Sequence, residues 1–570
     1  MRQLVIAFGD TACILGREVR KQFGRLLLIG GNGMRLNTRS ISLEVRPSHQ
    51  DKLVRLLVGL RGGRSLGRQG SPGHYPEILS RLPTCHFLSI CMVESSDYDA
   101  LLVIEANFDG PPGPFWAQLQ ALLGERLREV LRCCKRPMDS SACLYDLVTA
   151  DRSRRDPAPF LECHVIHPKA FFHGNRGLPR ERILAEQALA EMVEDRLKDG
   201  SSWNGQSSEE VRQALRSELM PKFDWLGNKP ATRIPLTETL LDWLKLAALL
   251  FAVLHISLVP GAVLAALLGD AALAVLFAVA AIPVWMFFNR YRRPIETVGT
   301  SSSVTLLSFA RKNLIKILGA LAVLFLLSWP ISASANVLAR DLAWPAAWQA
   351  SARQLAWGIV WLIAILIPAV LIWMRYLERH DSSQDGPETD PLVLRQMREM
   401  EDWIPQNHMV SVVSLRPQIP RRAMSYIGTP LIHLALRAAV HDGYLGSMRT
   451  IHCAQWAFVN NGSRLLFLSN YDLSWESYFD DFIEKAHEGV TAVWCGSVGF
   501  PPVTMLIEDG AAHGRAFKNW ARHSMSPTRF WVSAYPNLTV DQIERNNRIA
   551  NGLCAARLSP EAARQWAEDL

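Results

Sequence analysis

Apolar positions gather in four long runs in the middle of the chain and alternate with polar ones in shorter runs on either side. Leu246 to Leu268 reads LAALLFAVLHISLVPGAVLAALL, and after Gly269-Asp270 a second run reaches Phe288. A third covers Ile315 to Val337 and a fourth Leu355 to Met374. As a helix, each is long enough to cross a hydrocarbon core of about 30 Å. The pattern predicts a four-helix transmembrane region over 236–378, its first two spans joined by a tight turn at Gly269-Asp270.

The flanks, 37–235 and 403–570, carry one order of short elements twice. SLEVRP ends at Pro47 and VSLRP at Pro417, and each precedes a helical stretch, KLVRLLVGL or PLIHLALRAAV. Next come CHFLSICMV from Cys85 and IHCAQWAFV from Ile451. LLVIEANFDG from Leu101 and LLFLSNYDL from Leu465 follow, each running into a helix rich in aromatics. ECHVIHP, ending at Pro168, and FWVSAYP, ending at Pro536, each lead to a last helix. FFHGNRG, Phe171 to Gly177, reads as a loop without a counterpart. Strand-helix-strand-strand-helix-strand is the ferredoxin-like βαββαβ order. The polar stretch 379–402 reads as a flexible linker, and residues 1–36 as a poorly ordered N-terminal segment.

The central hairpins have a testable register. Asn461-Gly462 is a strong two-residue turn signal, and such a turn sets His452 opposite Tyr471. A turn near Asp97 sets His86 opposite Phe108. Both faces of these strands are mostly apolar, so both must be covered. Each unit's own helices cover one face, and the sheet of the other unit is the expected cover for the other.

Two ferredoxin-like units with sheets face to face resemble the dimeric α+β barrel superfamily, here made as an intramolecular pseudo-dimer within one chain. The resemblance covers the two flanks and not the membrane region. It implies an α+β fold and a range of functions: haem peroxidases, small monooxygenases and non-catalytic binding modules. The dye-decolourising peroxidases carry a GxxDG motif; ANFDG, ending at Gly110, has Ala106 in place of the first glycine, and NYDL, ending at Leu473, lacks the last one too. Haem is thus an implication of the superfamily alone, and fold does not settle function.

Composition narrows the classes. Of 570 residues 49% are hydrophobic, which is high for a wholly soluble chain, and the net charge of +7 comes without a basic, aromatic-interleaved stripe. Nucleic acid is therefore not an expected partner; the lipid bilayer and a small hydrophobic ligand are. The ten cysteines include no CxxC pair, so neither a zinc site nor a disulfide framework is expected. Arg290, Arg292, Arg293, Arg311 and Lys312 lie between spans two and three, and Arg375 and Arg379 follow span four. The opposite side holds Arg340 and Arg353 beside Asp341. Positive charge is retained inside, which predicts a multi-pass protein of the inner (plasma) membrane with both termini cytoplasmic. No secretory signal is evident at the N-terminus. Within the apolar runs His255 is the ionisable side chain that stands apart from the ends, so the bundle reads as an anchor before it reads as a translocation path.

The candidate chemistry is a His-Asp pair in each half, His86 with Asp109 and His452 with Asp472, acting as base and orienter or holding a haem iron. Regular register opposes it, because each His then shares a face with the aromatic while Asn and Asp turn away. A bulge at the strand end would restore it. The structural alternative makes the His a packed strand-start residue and lets Asn107 to Asp109 and Asn470 to Asp472 cap the following helix. A third reading makes Asn107 and Asn470 the polar lining of a ligand pocket. His167 is a weaker ligand candidate, and Asn175 with Arg176 a candidate anion holder. GGNG at Gly30 to Gly33 lacks the spacing of a nucleotide site. Three functions stay open: a peroxidase-like oxidoreductase acting on a hydrophobic or membrane-derived substrate, a non-catalytic ligand-binding or scaffold protein at the inner membrane surface, and a transporter.

Overall fold

The structure, a computed structural model, describes residues 36–61, 75–95, 97–198, 203, 205–228, 233–291, 313–381, 388–439 and 448–570. Gly30 to Gly33 and the basic Arg292, Arg293, Arg311 and Lys312 lie outside the described residues.

Before the membrane region come β1 (Leu36–Glu44), α1 (Gln50–Arg61), β2 (Cys85–Val93), β3 (Leu101–Asp109), α2 (Pro112–Leu123), β4 (Val165–Ile166), β5 (Ala170–His173) and α3 (Arg180–Lys198). The four apolar helices are α4 (Leu236–Leu267), α5 (Asp270–Tyr291), α6 (Leu314–Arg340) and α7 (Trp344–Arg379). Then follow β6 (Gln406–Ser414), α8 (Ile419–Ala439), β7 (Ile451–Val459), β8 (Arg464–Asp472), α9 (Trp475–Lys485) and α10 (His487–Trp494). The chain ends with β9 (Val503–Thr504), β10 (Glu508–Asp509), α11 (Gly514–Ser524), β11 (Met525–Ser526), β12 (Phe530–Ser533) and α12 (Val540–Cys554), besides shorter helices.

Two five-stranded antiparallel sheets make the soluble body, in the orders β12-β2-β3-β1-β4 and β11-β6-β8-β7-β5. Their edge strands are exchanged. β4 pairs with β1, the chain crosses, and β5 pairs with β7 of the other sheet. In the same way β11 pairs with β6 and β12 crosses back to β2. Pro168 and Pro527 sit at the two crossings, where a residue without an N–H cannot continue the ladder. The expected strands ECHVIHP and FWVSAYP therefore do not match as whole units. In register His173 lies opposite Cys453 and Ser533 opposite Phe87, so FFHGNRG does have a counterpart, in FWVSAYP. Segment 37–235 completes the second sheet, and 403–570 completes the first.

The sheets pack face to face. Cys91, Val93, Leu101 and Val103 of one share a buried cluster with Val410, Val412, Leu466 and Leu468 of the other. The outer faces are covered by helices, and here the aromatics go: Phe108 stacks on Phe115 and Tyr471 on Tyr478, both at 4.1 Å between ring centroids. Burial on both faces explains why β2, β3 and β8 are buried at every position.

In the membrane region α4 and α7 approach closely because both carry glycine at the crossing. A Cβ on Gly261 would sit 2.4 Å from that of Trp361, and one on Gly358 3.0 Å from the Leu258 carbonyl oxygen. Polar groups bond helix to helix: His255 Nδ1 to Ser328 Oγ at 2.8 Å, and the buried Asn336 Nδ2 to Ser351 and Gln354 at 2.9 Å each. At Leu362–Leu366 α7 takes one π-helical turn, just before Pro368, which has no N–H to give. Both ends of the region dock on the body. Glu238 and Asp242 of α4 pair with Arg176 and Arg437, and Arg375 of α7 donates to the Val503 carbonyl.

Candidate functional site

The predicted hairpin registers hold over most of their length. β7 and β8 pair as expected from Cys453–Asn470 to Val459–Arg464, across a turn with Asn461 at φ 56°, ψ 28° and Gly462 at φ 82°. β2 and β3 pair as expected from Phe87–Asn107 onward. At the other end each register shifts by one. Ile451 pairs with Tyr471 and Cys85 with Phe108, so His452 and His86 are extra residues without a cross-strand partner. A bulge re-aims its side chain, and both imidazoles turn to the face of Asn and Asp, between the sheets.

The pairs that regular register forbids therefore form. His452 Nε2 hydrogen-bonds Asp472 Oδ1 at 2.7 Å. His86 Nε2 lies 2.9 Å from Asp109 Oδ2, an ion-pair distance off hydrogen-bond alignment. Each Asp also caps a helix, though not the one that follows it in sequence. Asp109 accepts from the Arg180 N–H at the start of α3, and Asp472 from the Val540 N–H at the start of α12, both at 2.7 Å. α2 has no side-chain cap and α9 is capped by Ser474, because they lie on the outer face and the carboxylates point inward.

The two pairs meet. Tyr535 Oη is 2.9 Å from His86 Nδ1, and the Tyr535 ring lies 5.8 Å from His86 and 5.9 Å from His452. With the His86 proton on Nε2 toward Asp109, Nδ1 accepts from the phenol. Burial pushes the Tyr535 phenol well above its usual range, so it stays protonated. His173 edges onto His86 at 6.0 Å; burial, then the neighbouring His86, hold it well below the usual histidine range and neutral. The His452 ring lies 5.4 Å from the Phe87 ring between centroids, and its Nδ1 has no hydrogen-bond partner among the described residues.

One turn further along the inter-sheet space lies a carboxylate that sequence reasoning passed over. Glu105 sits inside the quoted strand LLVIEANFDG, on the face of Asn107 and Asp109. Its Oε1 accepts from Asn107 at 2.9 Å, Gln455 at 3.0 Å and Asn470 at 3.2 Å. Its Oε2 meets His408 Nε2 at 2.9 Å and Ser89 Oγ at 3.4 Å. Burial pushes its pKa up, but the bonds from His408, Asn107 and Gln455 outweigh it, and Glu105 titrates below its ordinary value. By register its counterpart in the other half is Leu468, and that of His408 is Thr38. An acid where the matching strand has leucine was the available signal.

The remaining candidates have other partners. Asn107 Oδ1 accepts from Thr38 and Asn470 Oδ1 from Trp531, so both amides belong to the Glu105 network. Asn175 donates to Glu544 at 2.7 Å. Arg176, expected to hold an anion, is paired with Glu238 and Asp242 at 2.7 Å each and ties α4 to the body. His167 lies exposed on the crossing between β4 and β5.

These residues do not fit a haem. The nitrogens of His86 face Asp109 and Tyr535, and the His452 ring is fully buried beside the Phe87 and Tyr535 rings, with its Nε2 bonded to Asp472. Among the described residues no group of three metal-ligating side chains converges.

A cavity of about 270 Å³ opens on the outer face of the second sheet. Trp456 and Phe467 floor it, Ile432 and Leu436 of α8 wall it, and Val490 and Trp520 close other sides. Ser411 and Ser524 are its hydroxyl-bearing residues, and they bond each other at 2.6 Å. The wall helix α8 also packs along α4 and touches α7.

Comparison with protein-family models, curated proteins and solved structures finds no match for this chain. Geometry alone therefore ranks the two places. The His-Asp-Tyr cluster is buried and its members pair with one another and with two helix ends, as befits a clamp. The cavity is open, apolar and beside the membrane helices.

Proposed function

We propose that this chain is a membrane-anchored binding protein that holds an apolar, membrane-derived ligand in the cavity beneath α8. The carrying observation is a carbon-lined space whose wall helix packs on the first apolar helix. In this reading the body is a pair of ferredoxin-like βαββαβ repeats closed into a barrel of the dimeric α+β kind. The matching sheet orders, the matching bulges and the reciprocal exchange of edge strands support it. The protein sits in the plasma (inner) membrane with both termini in the cytoplasm, on the asymmetry of Arg and Lys.

Purification from membranes in detergent, followed by solvent extraction and mass spectrometry, tests the reading. A near-stoichiometric apolar compound is expected with the wild type. Ala521→Phe, which fills the cavity, reduces it at least about tenfold, since the added ring occupies the ligand's volume. Equal content in both proteins sinks the proposal. The competing reading, a peroxidase-like oxidoreductase, would use the Tyr535–His86–Asp109 chain. None of those residues lines the cavity, and a Soret band that vanishes in His452→Ala would be needed to revive it.

A further inference from the structure

Arg464, the first residue of β8, lies between the sheets at the end away from the His-Asp pairs. It is 4% exposed, and its guanidinium carbon lies 4.9 Å from the ring centroid of Tyr98, on the facing hairpin of the first sheet. Leu466 and Leu468 follow it on the inward face, in one cluster with Val93, Leu101 and Val459. Its Nε and Nη1 are buried and have no hydrogen-bond acceptor among the described residues. Other buried arginines of the body find acceptors: Arg212 has Glu209, Arg522 has Glu401, and Arg180 has the Leu79 and Leu82 carbonyls. The Tyr98 ring answers the charge on one face but offers nothing in the plane of the N–H groups. Burial pulls the guanidinium's pKa down, while Tyr98 and Asp97 oppose this; from so high a starting value it stays a cation. A buried cation with empty donors is among the least favourable placements in a protein unless an anion completes it.

We propose that Arg464 is the centre of an anion site at this end of the two-sheet body, taking a small oxyanion, phosphate or a phosphate head group. Small size follows from the packed aliphatic cluster beneath it. Access follows from what covers it: Asp97 is exposed, and Tyr98 is 42% exposed. Arg464 does not line the apolar cavity, so this site stands or falls independently of the binding function proposed above.

The test uses the full chain in an uncharged detergent, with thermal unfolding followed at constant ionic strength. Inorganic phosphate is titrated in one arm, dihexanoyl phosphatidic acid in a second and dihexanoyl phosphatidylcholine in a third. A saturable rise of several degrees in Tm is expected for the wild type and its loss in Arg464→Gln. A rise in both phosphate arms identifies the free ion as sufficient; a rise with phosphatidic acid alone identifies a lipid head group. Should Arg464→Gln fail to fold, Asp97→Asn decides: removing the neighbouring acid lowers half-saturating phosphate about fivefold, the scale of one exposed charge pair. No rise in wild type, an equal rise in Arg464→Gln, or an unchanged midpoint in Asp97→Asn overturns the site.

Discussion

Glu105 shows what one residue does when it departs from its counterpart. A carboxylate between two sheets is stable only with its lone pairs filled, and five side chains from both sheets fill them. Glu105→Leu leaves His408, Gln455 and Asn470 without their acceptor, and should cost roughly 3–5 kcal/mol by chemical denaturation in detergent. Glu105→Leu combined with His408→Thr copies the Leu468 and Thr38 of the matching positions, and part of that loss should return. Because the folded pKa of Glu105 is lowered, its contribution is complete above the ordinary carboxylate value of about 4.3 and fades as pH falls through the lower folded value. Stability against pH should therefore have an acid limb that Glu105→Gln flattens; identical limbs would refute the assignment. The same residue scale decides the His-Asp pairs, since one unpaired residue in each β2 and β7 swings the imidazole to the carboxylate.

Among elements, α4 matters most, because it belongs to both the membrane region and the body. Its apolar length crosses past α7 at Gly261, where a Cβ already meets Trp361. Gly261→Leu should separate the helices and lower the temperature of aggregation in detergent by several degrees, whereas Gly319→Leu, at a glycine with open space around it, should not. At its start, Glu238 and Asp242 are held by Arg176 and Arg437. Asp242→Leu leaves two guanidinium groups short of a partner, and hydrogen exchange should then speed up in α8. Unchanged exchange there would show that the ion pairs do not hold α8 against α4.

For the whole molecule, the exchange of β5 and β12 makes the two flanks inseparable. Each sheet lacks an edge strand unless the other flank is present on the same side of the membrane, which four spans provide. Reporter fusions at residue 235, near Ser351 and at the C-terminus should therefore report cytoplasm, outside and cytoplasm. An external C-terminus would contradict a single two-sheet body. Separately expressed flanks should co-purify, and deletion of 165–173 should abolish that association.

Much of this was legible in the residues. The four apolar runs, the boundaries of β2 and β7, the Asn461-Gly462 turn and the burial of both strand faces all follow from local periodicity and turn chemistry. Periodicity could not reveal the bulges. When both faces of a strand are buried, slipping one residue exposes nothing apolar, so the pattern carries no penalty that would mark it. The edge-strand exchange, the Glu105 network and the grip of Arg176 and Arg437 on α4 unite residues from distant parts of the chain. Their partners are chosen by packing, which only the tertiary structure decides.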